Sequence, residues 1–135
     1  MKNNCSYSDI DRIIELGNLI NNNFSNVNDV RGLIDNKEII GFYENDVLVG
    51  FLIYKKLYEV IDLLYIIVDP MYRRKGIGSK LMDSLLKIDY ERIMLEVNTN
   101  NKSPIKLYKK YNFKIINIRN NYYGESSAYV MEAKR

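Results

Sequence analysis

The amino-acid sequence predicts an α/β (α+β) fold, with a mixed β-sheet of six to seven strands flanked by about four helices. Two observations support this prediction. Hydrophobic residues recur with helical spacing in some segments and with strand-like spacing in others, and the two kinds alternate in the second half of the chain. The chain has 135 residues, of which 47% are hydrophobic, so one core can form and we expect a single domain over residues 1–135.

Two helices are expected in the first part of the chain. The first begins at Ser8 or Asp9, either of which can cap a helix N-terminus, and it ends near residues 21–23. Its apolar face would hold Ile10, Ile13, Ile14 and Leu16. A shorter helix is expected over residues 28–36.

Three strands should follow these helices. Residues 38–43 and 47–55 are strand-like, and residues 44–46 (Glu-Asn-Asp) predict a tight hairpin turn between them. Residues 58–68 predict a longer strand. Its last residues are nearly all apolar, which is typical of a strand buried on both faces.

The second half of the chain predicts alternating helices and strands. Residues 76–89 have a clear amphipathic helical pattern, and residues 93–97 predict a short buried strand. The next helix should start with Ser103 as its N-cap and Pro104 at its first position, and it should end before Asn112, which can adopt the left-handed conformation. Two closing strands are expected over residues 114–119 and 128–133.

The composition excludes several classes of function. There is no histidine and a single cysteine, so His-based catalytic triads, His-ligated metals and an internal disulfide are excluded, and we expect no metal cofactor. The net charge is +3, and the one basic run is at residues 73–75, which argues against a nucleic-acid partner. Apolar runs such as residues 63–68 are far shorter than the roughly 20 residues that span a bilayer. Residues 1–5 have no apolar core, so we expect no signal peptide and a cytoplasmic protein.

The segment that carries the chemistry is residues 68–78, which contains Gly76 and Gly78. Glycines let backbone N–H groups approach a ligand, and a helix N-terminus attracts anions, so the pattern indicates a pyrophosphate site. The alternative interpretation is an ordinary strand-to-helix turn. Two nucleotide-binding motifs do not fit: a Rossmann turn needs a glycine where the chain has Leu81, and a P-loop needs Gly-Lys-Ser/Thr, whereas Gly78 is followed by Ser79.

This segment resembles the acetyl-CoA signature of the GNAT N-acetyltransferase superfamily, Arg/Gln-x-x-Gly-x-Gly/Ala, through Arg73, Gly76 and Gly78. Further matches downstream are Leu95-Glu96-Val97, Asn101, Leu107-Tyr108, Asn112-Phe113, residues 119–123 and residues 128–131. The whole pattern is most similar to the bacterial ribosomal-protein-alanine N-acetyltransferases. The resemblance covers residues 38–133, and the first 37 residues fit it poorly.

The resemblance implies acetyl-CoA as cosubstrate. The backbone of Ile66, Ile67 and Val68 would pair with the pantetheine arm. The pyrophosphate would be bound by the amides of one continuous stretch, Arg73, Arg74, Lys75, Gly76, Ile77, Gly78 and Ser79. The first three side chains would add positive charge near the phosphates, and the alternative interpretation of these side chains is a solvated basic turn.

The resemblance also implies two catalytic residues. Glu96, at the end of a buried strand, corresponds to the general base that deprotonates the acceptor amine, directly or through a water. Tyr108 corresponds to the general acid that protonates the coenzyme A sulfur. Each residue has a structural alternative: Glu96 as a carboxylate paired with a nearby lysine, and Tyr108 as a core aromatic packed on Tyr111.

Three further residues are assigned by the same resemblance. Asn101 matches an asparagine that contacts coenzyme A, and Tyr122 and Tyr123, placed between the last two strands, match tyrosines that line the peptide groove. A tyrosine-rich hairpin is the alternative for the last two. The chain departs from the ribosomal type at Asn98, where that type often has arginine, and at Ser127, where it usually has an acidic residue.

The expected function is an acetyl-CoA-dependent N-acetyltransferase that moves an acetyl group to a primary amine by direct attack. The expected acceptor is a peptide or protein N-terminus, such as that of a ribosomal protein. The sequence leaves two alternatives open. One is an acetyltransferase for a small amine, such as a polyamine, an amino acid or an antibiotic, and the other is a non-catalytic coenzyme A-binding sensor. No membrane partner is expected, and the oligomeric state is left open.

Overall fold

The computed structural model describes residues 3–135, which form six strands and five α-helices. The strands are β1 (Ile39–Glu44), β2 (Val47–Leu57), β3 (Val60–Val68), β4 (Arg92–Asn98), β5 (Lys114–Tyr123) and β6 (Ser126–Lys134). The helices are α1 (Ile10–Gly17), α2 (Phe24–Val27), α3 (Val30–Asp35), α4 (Ile77–Leu85) and α5 (Lys102–Lys110).

The strands form one mixed sheet in the order β1-β2-β3-β4-β6-β5, which confirms the predicted fold class. The described chain divides into two compact units. The first contains the residues up to Tyr54 and Tyr65–Ile88, and the second contains Lys55–Leu64 and Asp89–Arg135. A single domain over residues 1–135 stays a prediction. Among residues 3–135 there is no helix of the length and apolarity that crossing a membrane requires.

In the first unit, α1 ends at Gly17, several residues earlier than predicted. Phe24 gives the reason, because a Cβ atom on Gly17 would lie 2.4 Å from the Phe24 ring. The glycine leaves the space in which that ring packs, edge-on to Phe51 and Tyr65. The chain therefore turns after Gly17 and forms α2, a helix that the sequence analysis did not predict.

The helix starts of the first unit lie close to their predicted positions. Asp9 is the N-cap residue of α1, but its carboxylate accepts hydrogen bonds from the Ser6 N–H (2.9 Å) and the Tyr43 hydroxyl (2.7 Å) instead of capping the helix. At α3, the Asp29 carboxylate accepts a hydrogen bond from the Gly32 N–H at 3.1 Å. An N-cap bond of this kind typically contributes about 1 kcal/mol.

The predicted hairpin between β1 and β2 is confirmed. Asn45 and Asp46 have φ angles of 50° and 64°, and Glu44 lies opposite Val47 in the antiparallel register. Two successive left-handed residues are typical of a type I′ turn, whose twist matches that of the flanking strands. Asparagine and aspartate tolerate this conformation better than most residues.

Strand β3 differs from its prediction. Its burial alternates, with Ile61, Leu63 and Ile67 buried, whereas Leu64 is 46% exposed. The prediction of a strand buried on both faces was wrong, because one face of β3 borders an open cavity, described below, in which Leu64 takes part.

In the second unit, β4 and β6 pair in antiparallel register from Arg92 opposite Lys134 to Asn98 opposite Ala128. Strands β3 and β4 are parallel, and their paired residues are Val60–Asp62 and Arg92–Met94. Both strands extend beyond this short ladder. The buried apolar residues of β4 alternate along the strand and are Ile93, Leu95 and Val97.

Helix α5 begins at Lys102, with Asn101 as its N-cap residue, so the prediction of a start at Ser103 and Pro104 was wrong. Asn98 explains the earlier start. Its side-chain oxygen accepts the Asn100 N–H and its backbone carbonyl accepts the Asn101 N–H, both at 2.9 Å, so the chain turns directly after β4.

The end of α5 is as predicted. Asn112 has a φ of 67°, its N–H donates to the Lys109 carbonyl, and the Phe113 N–H donates to the Tyr108 carbonyl. These two hydrogen bonds define a Schellman motif, which usually includes a hydrophobic contact between the two outer residues. That contact is present, because the ring centroids of Tyr108 and Phe113 are 5.8 Å apart.

Candidate active site

The loop that follows β3 in the first unit is anchored by Asp69. Its N–H donates to the Val49 carbonyl at 2.8 Å, and its carboxylate accepts the Met71 N–H at 2.9 Å and a guanidinium N–H of Arg12 at 2.5 Å. Arg12 also donates through Nε to the Leu48 carbonyl at 2.8 Å. These contacts join α1, β2 and the loop at one point.

The electrostatics of Asp69 follow from this geometry. The Met71 N–H, and then the Arg12 guanidinium, stabilise the carboxylate and hold the pKa of Asp69 below its ordinary value. The Asp69 side chain is only 13% exposed, so the ion pair is largely screened from water. No local sequence pattern indicates Arg12, because the pairing of residues 12 and 69 depends on tertiary structure.

The glycine turn has the backbone geometry of an anion site. Arg74 and Gly76 have φ angles of 66° and 75°, and Gly76 is the N-cap residue of α4. Gly76 has no side chain that could cap the helix, so the amides of Ile77 and Gly78 point out of its first turn without an intrahelical acceptor. A Cβ atom on Gly76 would meet nothing within 4 Å, which shows that space is open above the turn. The helix dipole adds about half a positive charge there.

The basic side chains of the turn lie in solvent. Arg73, Arg74 and Lys75 are all exposed, and none of them forms an ion pair with another residue in the described part of the chain. The Lys75 ammonium lies 5.3 Å from the centroid of the Tyr72 ring. The side chains are thus arranged as a solvated basic turn, and they could move to meet a phosphate.

A further glycine, Gly50 on β2, supports the turn and was missed by the sequence analysis. A Cβ atom on Gly50 would lie 3.0 Å from the Ile67 carbonyl oxygen and 3.2 Å from the Ile77 side chain. Gly50 therefore allows β2, the end of β3 and the first turn of α4 to approach closely. Of the predicted pantetheine-binding residues, Ile67 is buried, and Ile66 and Val68 are partly buried.

In the second unit, three of the predicted residues line one cavity of about 500 Å³. These residues are Glu96, Tyr122 and Tyr123. The remaining lining residues are Asp62, Leu63, Leu64, Met94, Leu95 and Val130. The cavity lies where β3 and β4 continue beyond their short paired region, and its volume is that of a small-ligand site.

The Glu96 carboxylate has a partner that the sequence analysis did not predict. Arg119 donates through Nη1 to Glu96 Oε1 at 2.5 Å, whereas the alternative interpretation had named a lysine. The Glu96 side chain is 32% exposed, so it borders both solvent and the cavity. A carboxylate in such a place can accept a proton from a bound amine or from a bridging water.

Tyr122 and Tyr123 are the last residues of β5, and do not lie in the turn after it. Their rings meet edge to face, with centroids 5.0 Å apart. Burial, and then the nearby Glu96 carboxylate, raise the pKa of Tyr123. The two rings give the cavity an aromatic wall with polar edges, a surface that suits a peptide backbone or an apolar side chain.

Tyr108 is both a core residue and a candidate acid. Its side chain is buried and its ring packs on Phe113. The packing on Tyr111 named by the alternative interpretation stays a prediction. Burial raises the pKa of Tyr108 to about 12. No fully buried side-chain oxygen or nitrogen in residues 3–135 lacks a hydrogen-bond partner, and no partner is present for the Tyr108 hydroxyl, so this oxygen is not completely shielded from solvent.

Asn101 is exposed, and its side chain makes no capping hydrogen bond at the start of α5. It is therefore available to a ligand. Asn98, in contrast, has a structural role, because its side-chain amide also donates to the Ser126 hydroxyl at 2.8 Å. Asn98, one of the positions at which the chain departs from the ribosomal-type pattern described above, thus fixes the loop between β4 and α5.

Comparison with known proteins shows the family to which the chain belongs. Residues 15–113 match the Acetyltransferase (GNAT) family. The chain belongs to the GNAT family. An N-alpha-acetyltransferase of Sulfurisphaera tokodaii is 32% identical over 105 residues, which are 71% of this chain and 63% of that protein. The ribosomal protein bS18-alanine N-acetyltransferase of Escherichia coli is 32% identical over 96 residues, which are 65% of each chain. This GNAT chain thus spans less than two thirds of these relatives' length.

Solved GNAT structures share the fold over nearly the whole chain. Ard1 of Thermoplasma volcanium superimposes with a TM-score of 0.83 and 28% identity, covering 97% of this chain and 94% of that one. Naa50 of Arabidopsis thaliana, solved in complex with the bisubstrate analogue CoA-Ac-MVNAL, has a TM-score of 0.80 and 26% identity, covering 97% and 95% of the two chains.

The Asp69 anchor leads to a prediction about stability and pH. Asp69→Asn should lower the free energy of unfolding at pH 7 by about 1.5–3 kcal/mol, because it removes a charge-assisted hydrogen bond in a mostly buried place. The folded-state pKa of Asp69 is lowered, so its contribution is complete above the unfolded value of about 3.9 and disappears as the pH falls through the folded value. Urea unfolding at pH 7 and pH 3 measures both differences. A difference between the two proteins that is equal at both pH values would contradict this.

Proposed function

We propose that this chain is an acetyl-CoA-dependent N-acetyltransferase, which transfers the acetyl group to the α-amino group of a peptide or protein. The observation that carries the proposal is the glycine turn at the start of α4. Its left-handed Gly76, its open first-turn amides and its basic side chains form a pyrophosphate-binding arrangement in a chain of the GNAT family.

In this proposal acetyl-CoA is held mainly by backbone groups. The amides of residues 73–79 bind the pyrophosphate, and Arg73, Arg74 and Lys75 screen its charge. The backbone of residues 66–68 pairs with the amide groups of the pantetheine arm, as an added strand pairs with a sheet edge. Asn101, at the exposed start of α5, contributes a side-chain amide to coenzyme A.

The reaction is a direct attack of the amine nitrogen on the thioester carbonyl carbon. The C–N bond forms and the C–S bond breaks. The nitrogen loses a proton as it becomes an amide, and the sulfur gains one through the Tyr108 hydroxyl, so that coenzyme A leaves as a thiol. Glu96 takes a proton from the protonated acceptor, directly or through a water, because only the neutral amine is a nucleophile. An α-amino group, with a pKa of about 7.7–8.0, is deprotonated much more easily at neutral pH than a lysine side chain, with a pKa of about 10.4.

Tyr108 acts on the leaving group. With a pKa of about 12 its hydroxyl is protonated throughout the neutral range, so it can donate a hydrogen bond to the sulfur as negative charge develops there. A free thiol has a pKa of about 8.5, so the thiolate gains stabilisation from such a donor. The phenol needs no other group to keep it protonated.

The acceptor assignment is supported by the cavity and by the relatives. A volume of about 500 Å³ with two tyrosines and several aliphatic side chains fits the first residues of a peptide. One relative at 32% identity is an N-alpha-acetyltransferase, and Naa50 was solved with an analogue that joins coenzyme A to a peptide. A ribosomal protein is one candidate acceptor, by similarity to the Escherichia coli relative.

The overall proposal is tested by coenzyme A thiol release. Acetyl-CoA is mixed with the protein and either a peptide that begins with alanine or a polyamine, and released thiol is measured against time. Release that depends on the peptide supports the proposal. Thiol release with the polyamine and not with the peptide would indicate that the acceptor is a small amine. Tight acetyl-CoA binding without thiol release in the presence of any acceptor would indicate a sensor.

The glycine turn can be tested with a pair of matched variants. Gly76→Ala and Gly124→Ala each place an alanine at a φ near 75°, where a Cβ atom meets nothing within 4 Å. Both should lose about 1–2 kcal/mol of stability from the left-handed backbone. Only Gly76→Ala should reduce the stabilisation by acetyl-CoA, which at 100 times the Kd is about 2.7 kcal/mol in the unaltered protein. Equal ligand-induced thermal shifts in the two variants would show that the turn does not bind acetyl-CoA.

Tyr108→Phe tests the leaving-group role. It keeps the ring in the core and removes the donor, so kcat should fall about 100-fold while the thermal shift with acetyl-CoA is retained. Tyr90→Phe is the control, because Tyr90 is an equally buried tyrosine of the same unit that the mechanism does not use. A kcat in Tyr108→Phe equal to that of the control would remove Tyr108 from the mechanism.

A further inference from the structure

The last part of β5 leaves the regular ladder with β6. The register shifts between Arg119 and Tyr123, and Asn121, which lies in this interval, has a φ of 54°. The Asn121 N–H donates to the Ser127 hydroxyl at 3.2 Å, a side-chain contact in place of a ladder bond. An irregularity of this kind bends a strand and redirects its side chains. In this protein the irregularity begins at Arg119, whose side chain contacts Glu96 on β4.

Arg119 connects three of the residues around the cavity. Its Nη1 lies 2.5 Å from Glu96 Oε1, and its guanidinium carbon lies 4.4 Å from the centroid of the Tyr122 ring. Tyr122 in turn contacts Tyr123 edge to face. The carboxylate and the aromatic wall are thus held in one continuous set of contacts, with Arg119 in the middle.

Stability alone does not explain this arrangement. The Arg119 side chain is 48% exposed and that of Glu96 is 32% exposed, and ion pairs this accessible to water contribute little to stability. The contact does fix an orientation, because it occupies Oε1 and leaves Oε2 as the carboxylate oxygen that can receive a proton. An arginine stacked on a ring also keeps its own orientation better than an unstacked one.

The charge of Arg119 has a second consequence. A positive group near the place of the acceptor amine disfavours the ammonium form, so it lowers the pKa of the bound amine and increases the neutral nucleophile. The other titratable groups that line the cavity are Asp62 on β3 and the two tyrosines of β5. The acidic residue of β6, Glu132, is paired with Arg92 and Lys134. Arg119 is the one cation in contact with Glu96 among residues 3–135.

We infer that Arg119 is a positioning residue for deprotonation of the acceptor: it holds Glu96 by Oε1, turns Oε2 toward the acceptor amine, and keeps Tyr122 in place as the cavity wall. This inference rests on the proposed acetyltransferase function. It assigns to the end of β5 a role on the acceptor side, separate from the binding of acetyl-CoA.

The test compares Arg119→Gln, Arg119→Lys and a control, Arg92→Gln. The control removes another arginine–glutamate pair of the same sheet, that of Arg92 with Glu132, outside the cavity. For each protein, kcat and KM for an alanine-initiated peptide are measured from pH 5.5 to 9 by thiol release, and acetyl-CoA binding is measured by thermal shift. The retained thermal shift also shows that each variant is folded.

In Arg119→Gln, kcat should fall about tenfold. The acid limb of the kcat profile should move to higher pH by about half a unit, because loss of the nearby positive charge raises the pKa of the bound amine. Acetyl-CoA binding should stay within twofold of the unaltered protein. Arg119→Lys should restore the position of the acid limb but only part of kcat, because a lysine has the charge without the planar contact to Tyr122. Arg92→Gln should have unaltered kinetics.

The outcomes separate this inference from the proposed function. If the unaltered protein turns over and the pH profile of Arg119→Gln coincides with the profile of the unaltered protein or of Arg92→Gln, the role of Arg119 is overturned and the proposed function is not. If Arg119→Gln does not fold, an Arg119→Lys kcat equal to that of the unaltered protein does the same. Absence of turnover by the unaltered protein with every acceptor overturns the proposed function and this inference with it.

Discussion

The Asp69 carboxylate fixes the point at which β3 ends and the glycine turn begins, and the rest of the turn depends on it. The carboxylate accepts hydrogen bonds from the Met71 N–H and the Arg12 guanidinium, and the backbone N–H of Asp69 donates to the Val49 carbonyl. A turn with two left-handed residues is costly to order, and non-glycine residues in this conformation cost about 1–2 kcal/mol. Fixed contacts at its start offset part of that cost, so that the amides of α4 can remain open without local collapse of the loop.

Glycine at positions 50 and 76 serves the same turn for two different reasons. At Gly50 the requirement is space, because β2 lies against the Ile67 carbonyl and the Ile77 side chain. At Gly76 the requirement is backbone conformation, because φ is 75° and an added Cβ atom would meet nothing within 4 Å. Backbone groups therefore build the candidate anion site, and the exposed basic side chains add only a screened charge. This agrees with a site that binds a pyrophosphate through amides.

The features that the sequence predicted correctly are those that local chemistry determines. The Asn45-Asp46 turn and the left-handed Asn112 follow from the tolerance of these residues for positive φ, whatever the surroundings. The end of α1 at Gly17, in contrast, is set by the Phe24 ring, and the contacts of Arg12 with Asp69 and of Arg119 with Glu96 join residues far apart in the chain. No local sequence pattern predicts such long-range contacts. Glu96 and Tyr108 could be named from a family resemblance, but the partners that orient them became visible only in the folded chain.

The structural and the catalytic interpretations of Tyr108 describe one arrangement. Its ring is buried and packs on Phe113, and this contact belongs to the Schellman motif that ends α5. Because Asn112 ends the helix there, Phe113 is held against Tyr108 by the hydrogen bond from its own N–H to the Tyr108 carbonyl as well as by packing. The ring therefore has little freedom to move. The same burial raises the pKa of the phenol, so that a residue held by the core is also a donor that stays protonated. Packing supplies both the position and the protonation state that the proposed role requires.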